Sequence, residues 1–452
     1  MTRLAELAIV VFYFLRTRAL RFRSREALLA WQQKRVDAFL RRRLPQLPYY
    51  RDHIGAALPQ LPVMDKPAML ANFAALNNVG IGLDEATATA LAAEASRDFR
   101  PLIKGVTVGL SSGTQGPRGV FMVARREQLR WAGIMLARVL TGDLLRRLLW
   151  GRQPLRVAFF MRANSNLYGT LASRRIDFRF YDLLGGLDAH LAALQAQAPD
   201  ILVAPARILG RIAALALEGR LQLAPRKVIA VAEVLEPDDR QRIERAFGGP
   251  VHQLYQCTEG FLGHTCEHGT LHLNEEFVHV EPEWLDAGRT RFVPIVTDFT
   301  RTTQHFIRYR LNDTLRVRAT PCPCGSAALA LDAVEGRCDD ILWLPAADGG
   351  ELSALYPDMI RHAISIAPRA LPDYRIEQHG AALRIGVAGD DGASFDGIVQ
   401  ALQLAAGRQG LTAPVCRPMP FADTAEHIKR RRILCAVRPV LADFVTAEPS
   451  HA

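Results

Sequence analysis

The sequence predicts an α/β protein with a large multi-layer N-terminal domain, a β-rich subdomain within it, and a small, mobile α+β C-terminal domain. Three observations predict this. Apolar β-rich runs alternate with helical stretches over residues 106–255, short strands crowd together over 271–317, and the composition shifts again after Gly336. Alternation of this kind marks α/β layers built on parallel strands. At 452 residues the chain also exceeds the length at which a single core stops growing.

Residues 1–52 form a basic helical N-terminal segment. Within it, residues 7–15 (LAIVVFYFL) are apolar, but Arg16, Arg18, Arg21, Arg23 and Arg25 follow directly. A membrane span needs about 20 apolar residues, and the stretch TRALRFRSRE after the apolar run offers a poor small-residue cleavage site. The segment reads as a buried helix with a solvated arginine face, with peripheral membrane contact as the other reading. Leu28, Trp31, Val36, Phe39 and Leu40 then recur at helical spacing until Pro45 and Pro48 end the pattern.

Residues 49–100 are Ala-rich and helical in pattern. The runs at 106–110, 157–161, 201–204, 228–231 and 251–255 read as the strands of the layered sheet. The large domain is placed at 1–337, a hinge near 338–340, and a lid domain at 341–452. The lid reads as a strand at 341–344, a Gly-Gly turn, a helix, a strand at 382–387 and a helix near 398–406.

Lysine and arginine total 56 against 46 acidic residues, a net charge of +10, and residues 1–52 hold twelve basic against four acidic side chains. Most of the surplus therefore sits at one end, whereas a nucleic-acid enzyme spreads a basic groove and stacking aromatics over its body, so no nucleic-acid partner is expected. The seven cysteines, Cys257, Cys266, Cys322, Cys324, Cys338, Cys416 and Cys435, are odd in number and scattered. Reduced thiols in the cytoplasm are expected rather than a disulfide framework.

The strongest local signal is Ser111-Ser112-Gly113-Thr114-Gln115-Gly116-Pro117-Arg118 after the strand VTVGL. Small hydroxyl and glycine residues after a strand let backbone N–H groups converge on phosphate oxygens, and a nearby cation adds charge. Gly109-Leu110-Ser111-Ser112-Gly113 also spells the nucleophile elbow of a serine hydrolase, with Ser111 as nucleophile. That elbow should turn straight into a helix, whereas Thr-Gln-Gly-Pro prolongs a loop.

Four further stretches follow in order: Val231-Ala232-Glu233, Tyr255-Gln256-Cys257-Thr258-Glu259, Arg308-Tyr309-Arg310-Leu311-Asn312-Asp313 and Gly336-Arg337-Cys338-Asp339-Asp340. Together with the loop they resemble the motifs of the adenylate-forming (acyl-CoA synthetase-like) superfamily over roughly residues 100–345. The Arg-Tyr-Arg wording, with Cys-Pro-Cys-Gly just after it, resembles the phenylacetate–CoA ligase branch.

The resemblance implies ATP-dependent conversion of a carboxylic acid to its acyl-AMP, then transfer to the thiol of coenzyme A or of carrier-protein phosphopantetheine. Ser111, Ser112, Gly113, Thr114, Gly116 and Arg118 would cradle the phosphates. Glu233 would border the adenine, Tyr255 stack on it, Asp313 accept from the ribose hydroxyls and Arg337 add a cationic contact. Thr258 would meet the α-phosphate and Glu259 hold Mg²⁺. Lys429, in His427-Ile428-Lys429-Arg430, matches the lysine that reaches the acyl phosphate when the lid closes. Residues 159–168 resemble the family's acid-pocket segment, whose aromatics would suit an aryl or other apolar acid. A non-catalytic AMP-binding relative would keep the same residues without turnover. Gln115 and the Leu-Asn-Asp reading depart from the family pattern, yet remove no charge.

Cys322-Pro323-Cys324-Gly325 presents two thiolates on a tight turn, and Cys266 with His272 lies about fifty residues earlier. The Cys₃His set matches a structural Zn²⁺ site, with His264 and His268 as alternatives to His272.

Overall fold

The computed structural model describes residues 2–96, 98, 102–111, 118–140, 142–161, 172–367, 371–389, 392–425 and 428–445. The chain begins with helices Arg3–Ala19 and Arg25–Arg43. Ser24 caps the second, its hydroxyl accepting from the Ala27 N–H at 3.2 Å, and Arg41, Arg42 and Arg43 close its last turn, where cations complement the exposed carbonyls. This helix buries Leu28, Val36, Phe39 and Leu40 against the body, as the spacing predicts. The first helix departs from expectation in part: Arg3 and Arg18 are exposed, as a solvated arginine face requires, but so are the apolar Leu4, Leu7, Phe12 and Leu15.

Strands β1 (Leu102–Ile103), β2 (Val106–Leu110) and β3 (Val120–Ala124) pair antiparallel as a separate three-stranded sheet. Residues 106–110 are therefore not a strand of the parallel layer, as the apolar run alone implied. A hydrophobic pentad is common to both settings, and only pairing separates them.

The main sheet starts with β4 (Leu155–Met161), β5 (Ile176–Asp182), β6 (Ile201–Pro205), β7 (Lys227–Val231) and β8 (Val251–Gln256), all parallel neighbours. It continues through β9 (Phe261–Thr265), β10 (Leu271–Leu273), β11 (Val278–Trp284), β12 (Arg291–Asp298), β13 (Tyr309–Arg310), β14 (Asp313–Val317) and β15 (Ala330–Arg337). The order is β11-β12-β14-β15-β10-β9-β8-β7-β6-β4-β5, with β13 on β12. The β-rich region expected at 271–317 within the large domain forms the antiparallel half of the same sheet, joined to the parallel half at β8–β9.

Parallel strands covered on both faces separate two cores by alternation. Ala158, Phe160, Leu202, Ala204, Val228 and Ala230 point to one core with helices Ala206–Leu217 and Pro237–Phe247. Phe159, Ile201, Val203 and Ile229 point to the other, toward Leu140 and Leu144.

The C-terminal residues build their own core from Leu342, Leu355, Ile360, Ile376, Ile385, Ile398, Leu402 and Ile433. Strands β16 (Leu342–Pro345) and β17 (Leu352–Leu355) form a hairpin. Helices Pro357–Ser365 and Gly392–Arg408 accompany a four-stranded sheet of β18 (Tyr374–His379), β19 (Ala382–Val387), β20 (Val415–Pro418) and β21 (Ile433–Val437), ordered β20-β19-β18-β21. Four of these strands, β17, β18, β20 and β21, are additions to the sequence reading. Three are short, at four or five residues, and Arg, Glu and Gln interrupt the apolar positions of the fourth, β18.

Candidate functional site

Segments far apart in sequence meet at one cavity of about 780 Å³ between the main sheet, the three-stranded sheet and the C-terminal body. After β8 the chain turns through Cys257, Thr258, Glu259 and Gly260, closed by the Cys257 N–H donating to the Gly260 carbonyl at 3.0 Å. The Thr258 hydroxyl donates to Glu259 Oε2 at 2.8 Å, while Arg301 holds the Thr258 carbonyl. Tyr309 lines the same cavity as Glu259, and burial, then the negative charge of that carboxylate, raises its phenol.

Asp313 opens β14 and pairs in register with Arg337 across the ladder. The Tyr255 hydroxyl donates to Asp313 Oδ2 at 2.6 Å. Burial pushes the Asp313 carboxyl up, while the Tyr255 bond and the charges of Arg337 and Lys429 pull it down. Gly336, immediately before Arg337, holds φ +126°, and a Cβ there would stand 2.6 Å from Asp340 Oδ2, so glycine is required at this bend.

At the end of β7 the backbone reverses in a γ-turn centred on Ala232, with φ +66° and the Glu233 N–H donating to the Val231 carbonyl at 2.8 Å. Such turns are strained for a residue with a Cβ. The turn delivers Glu233 to the N-terminus of helix Ala206–Leu217, where Oε2 accepts from the Arg207 N–H at 3.2 Å and Oε1 from the Arg430 N–H at 3.3 Å. Burial raises this carboxyl against those two bonds.

The C-terminal body contributes Lys429, Arg430, Arg431 and Arg432 to the cavity lining. Burial first, then Arg337, lowers the Lys429 ammonium, while Asp313 and Glu233 favour its charge. Ion pairs fix the segment: Arg430 to Asp239 at 2.5 Å, and Arg431 to Asp339 at 2.9 Å and to Asp340.

Nine of the residues expected at a nucleotide, Ser111, Arg118, Glu233, Tyr255, Thr258, Glu259, Asp313, Arg337 and Lys429, line this cavity. Ser112, Gly113, Thr114 and Gly116 lie outside the described residues, as do residues 162–168 of the acid-pocket segment. Arg118 meets a partner the motif does not foretell: its guanidinium takes Glu94 in a fork at 2.7 and 2.6 Å, and its Nε donates to the Ser111 carbonyl at 2.9 Å. Its charge is therefore matched inside the protein. Ser111 accepts from the Gly119 N–H at 2.8 Å, between two strands of an antiparallel hairpin. The next described element after this serine is the antiparallel strand β3, whereas a nucleophile elbow leads into a helix.

Sequence reasoning missed Lys66 and Arg301. Lys66 lines the cavity, its ammonium lowered by burial and by Arg337 and supported by Glu259. It stands at the start of helix Lys66–Ala71, where an Asp-Lys-Pro triplet signals only a helix beginning.

The cavity has a second, apolar end. Helix Arg125–Val139 faces it with Trp131, Leu136 and Val139, and the sheet floor presents Phe178, Phe159, Val203, Ile229 and Leu254 from β5, β4, β6, β7 and β8. Four strand steps of about 4.8 Å make this floor about 19 Å wide. Of the expected acid-pocket aromatics, Phe159 faces the cavity, but Phe160 lies in the opposite core, stacked on Tyr181 at 4.6 Å.

Cys266, His272, Cys322 and Cys324 form a second cluster, all four ligand atoms lying within 4.8 Å of one another. Cys266 and Cys322 sulfurs are 3.6 Å apart, and Cys324 Sγ is 3.3 Å from His272 Nε2. Zinc bonds of about 2.3 Å to sulfur and about 2.0 Å to nitrogen give tetrahedron edges of about 3.5–3.8 Å, so the donor set fits that ion. His272 Nδ1 lies 3.2 Å from the Ala328 carbonyl, an acceptor that favours the proton on Nδ1 and leaves the Nε2 lone pair facing the cysteines. His264 instead pairs with Asn274 at 2.8 Å, and His268 lies beside Glu267.

No family model matches the chain, and no curated protein matches it. Solved structures do. A 2-hydroxyisobutyryl-CoA ligase, in the postadenylation state in complex with R3-HIB-AMP, superposes with a TM-score of 0.57 at 16% identity, covering 91% of this chain and 89% of that one. The GH3.15 acyl acid amido synthetase aligns with a TM-score of 0.52 at 13% identity over 86% of each chain. The amide bond synthetase McbA from Marinactinospora thermotolerans aligns with a TM-score of 0.50 at 15% identity, covering 73% of this chain and 69% of that one. The chain shares the fold of these ligases.

Proposed function

We propose that the protein activates a carboxylic acid, aryl or otherwise apolar, as its acyl-AMP at the expense of ATP, and then passes the acyl group to a thiol. One observation carries this proposal: a half-buried lysine from the C-terminal body, a carboxylate–phenol pair, and a Thr-Glu turn converge on one cavity whose far end is apolar.

In the reaction a carboxylate oxygen attacks the α-phosphorus, the new acyl–phosphate bond forms, and pyrophosphate departs with the electron pair of the broken P–O bond. Negative charge gathers on the phosphates, so fixed cations and donors do the catalytic work. Lys429 would meet the oxygens between acid and α-phosphorus. Asp313, steadied by Tyr255, would hold the ribose hydroxyls, and Arg337 would add charge at the bend. Thr258, its carbonyl anchored by Arg301, would orient toward the α-phosphate, and Glu259 would hold Mg²⁺. That ion, when bound, supplies charge neutralisation on the departing pyrophosphate.

Transfer to coenzyme A or to carrier-protein phosphopantetheine requires Lys429 to withdraw. We place the pivot at Cys338–Asp340, between a large domain at 1–337 and a lid at 341–452. The thiol acceptor and the phenylacetate–CoA ligase-like branch are supported by the motif wording alone. The Cys₃His cluster would bind structural Zn²⁺, pinning β10 to the 322–325 turn without a part in catalysis.

Acid-dependent exchange of labelled pyrophosphate into ATP tests the first half-reaction across a panel of aryl and alkyl acids. Exchange with at least one apolar acid, absent from Glu259→Gln, is the expected result. Adenylate binding without exchange for any acid would favour a non-catalytic relative. Metal analysis of the purified protein should find about one zinc per chain, and its absence would overturn the zinc assignment.

A further inference from the structure

We propose that the outer face of the N-terminal helix Arg3–Ala19 docks on an anionic lipid bilayer. Leu4, Leu7, Val11, Phe12 and Leu15 recur at i, i+3, i+7, i+8 and i+11, one stripe of a helix. They are 80, 56, 44, 56 and 60% exposed.

The inner face of the same helix is already engaged. Val10, Tyr13 and Phe14 lie against Gly133, where an added Cβ would approach the Val10 carbonyl to 2.5 Å. Glu6 takes Arg125 in a fork at 2.9 and 2.8 Å, Arg18 donates to the Leu140 carbonyl at 3.1 Å, and Arg130 stands 5.1 Å from the Tyr13 ring centroid. The stripe is therefore held facing outward by a well-packed helix.

Charge selects the occupant. Residues 2–24 carry Arg3, Arg16, Arg18, Arg21 and Arg23 against a single acid, Glu6, which Arg125 already matches. A second copy of this surface would bring like charge against like charge. Anionic headgroups complement it, while the stripe enters the acyl boundary. Among the described residues no helix is long and apolar enough to cross a membrane, so the 17-residue helix would lie along the surface.

The test is flotation of the full chain with phosphatidylglycerol–phosphatidylcholine vesicles, compared with phosphatidylcholine alone, at low and high salt. The expected result is at least about tenfold more protein on the anionic vesicles at low salt, falling at high salt. Phe12→Glu combined with Leu15→Glu should lower binding by a similar factor, with an unchanged unfolding temperature because both side chains are exposed. Equal binding of the parent and the double variant would overturn the proposal, as would no binding to either vesicle. Self-association of the parent chain in light scattering, abolished by the same substitutions, would assign the stripe to a second copy instead.

Discussion

The two ends of the cavity are built by different means. At the polar end, side chains from β7, β8, β14, β15 and the 429–432 segment meet although up to about two hundred residues separate them in sequence, and several are tied to a partner: Tyr255 to Asp313, Thr258 to Glu259, Glu233 to two backbone N–H groups. At the apolar end, Phe159, Val203 and Ile229 arrive by simple alternation on adjacent parallel strands, and no hydrogen bond orients them. The first arrangement is intolerant of lost charge or lost geometry. The second responds to volume.

The largest effect should therefore follow from removing charge at the polar end. Lys429→Ala and Glu259→Gln should each lower acid-dependent pyrophosphate release by about 10²–10³-fold, the usual cost of one electrostatic contact in a transition state. Unchanged rates would mean that the polar groups are matched internally, as Arg118 is.

At the apolar end, Val203→Phe should redistribute activity rather than abolish it. Specificity for the longest acids accepted should fall about 10- to 100-fold while that for short acids persists, read as kcat/KM over a chain-length series. A uniform loss would erase the distinction between the two ends.

Behind the apolar end, Lys227 donates to the Val139 carbonyl at 3.0 Å, and burial pushes its ammonium down to about 8 from 10.5. The unfolded chain keeps the proton up to about 10.5, whereas the folded chain releases it near 8, so between those values the unfolded state binds more protons. Stability attributable to this group should rise with pH across that window by about 3 kcal/mol, in urea unfolding, and Lys227→Met should flatten the rise.

The smallest effect belongs to the γ-turn. Ala232→Gly should raise the unfolding free energy by no more than about 1 kcal/mol, because relief of positive φ is partly offset by the freedom glycine adds to the unfolded chain.

The polar end was legible because its chemistry is written in short local strings. Tyr255, Thr258 and Glu259 share one pentad, and Asp313 and Arg337 begin and end paired strands. Lys66 and Arg301 were not legible, since each sits in an ordinary helix start or turn and gains meaning only from what lies across the cavity. Arg118 illustrates the converse. Its place beside the serine-glycine loop suggests a phosphate contact, while Glu94, in a helix with no recognisable motif, takes its charge.

Pairing was the other limit. Residues 106–110 carry the same apolar signature as a parallel strand, yet their partners are β1 and β3, and that the short strands after 271 continue the main sheet is a matter of pairing that their spacing leaves open. Periodicity and residue type act over a few positions, so they suffice for element type, for the cysteine–histidine set and for the order of the motifs. Which strand neighbours which, which face of the first helix meets water, and whether a cation is spent on a neighbouring carboxylate are settled by contacts between distant segments, because those energies depend on distance in space and not along the chain.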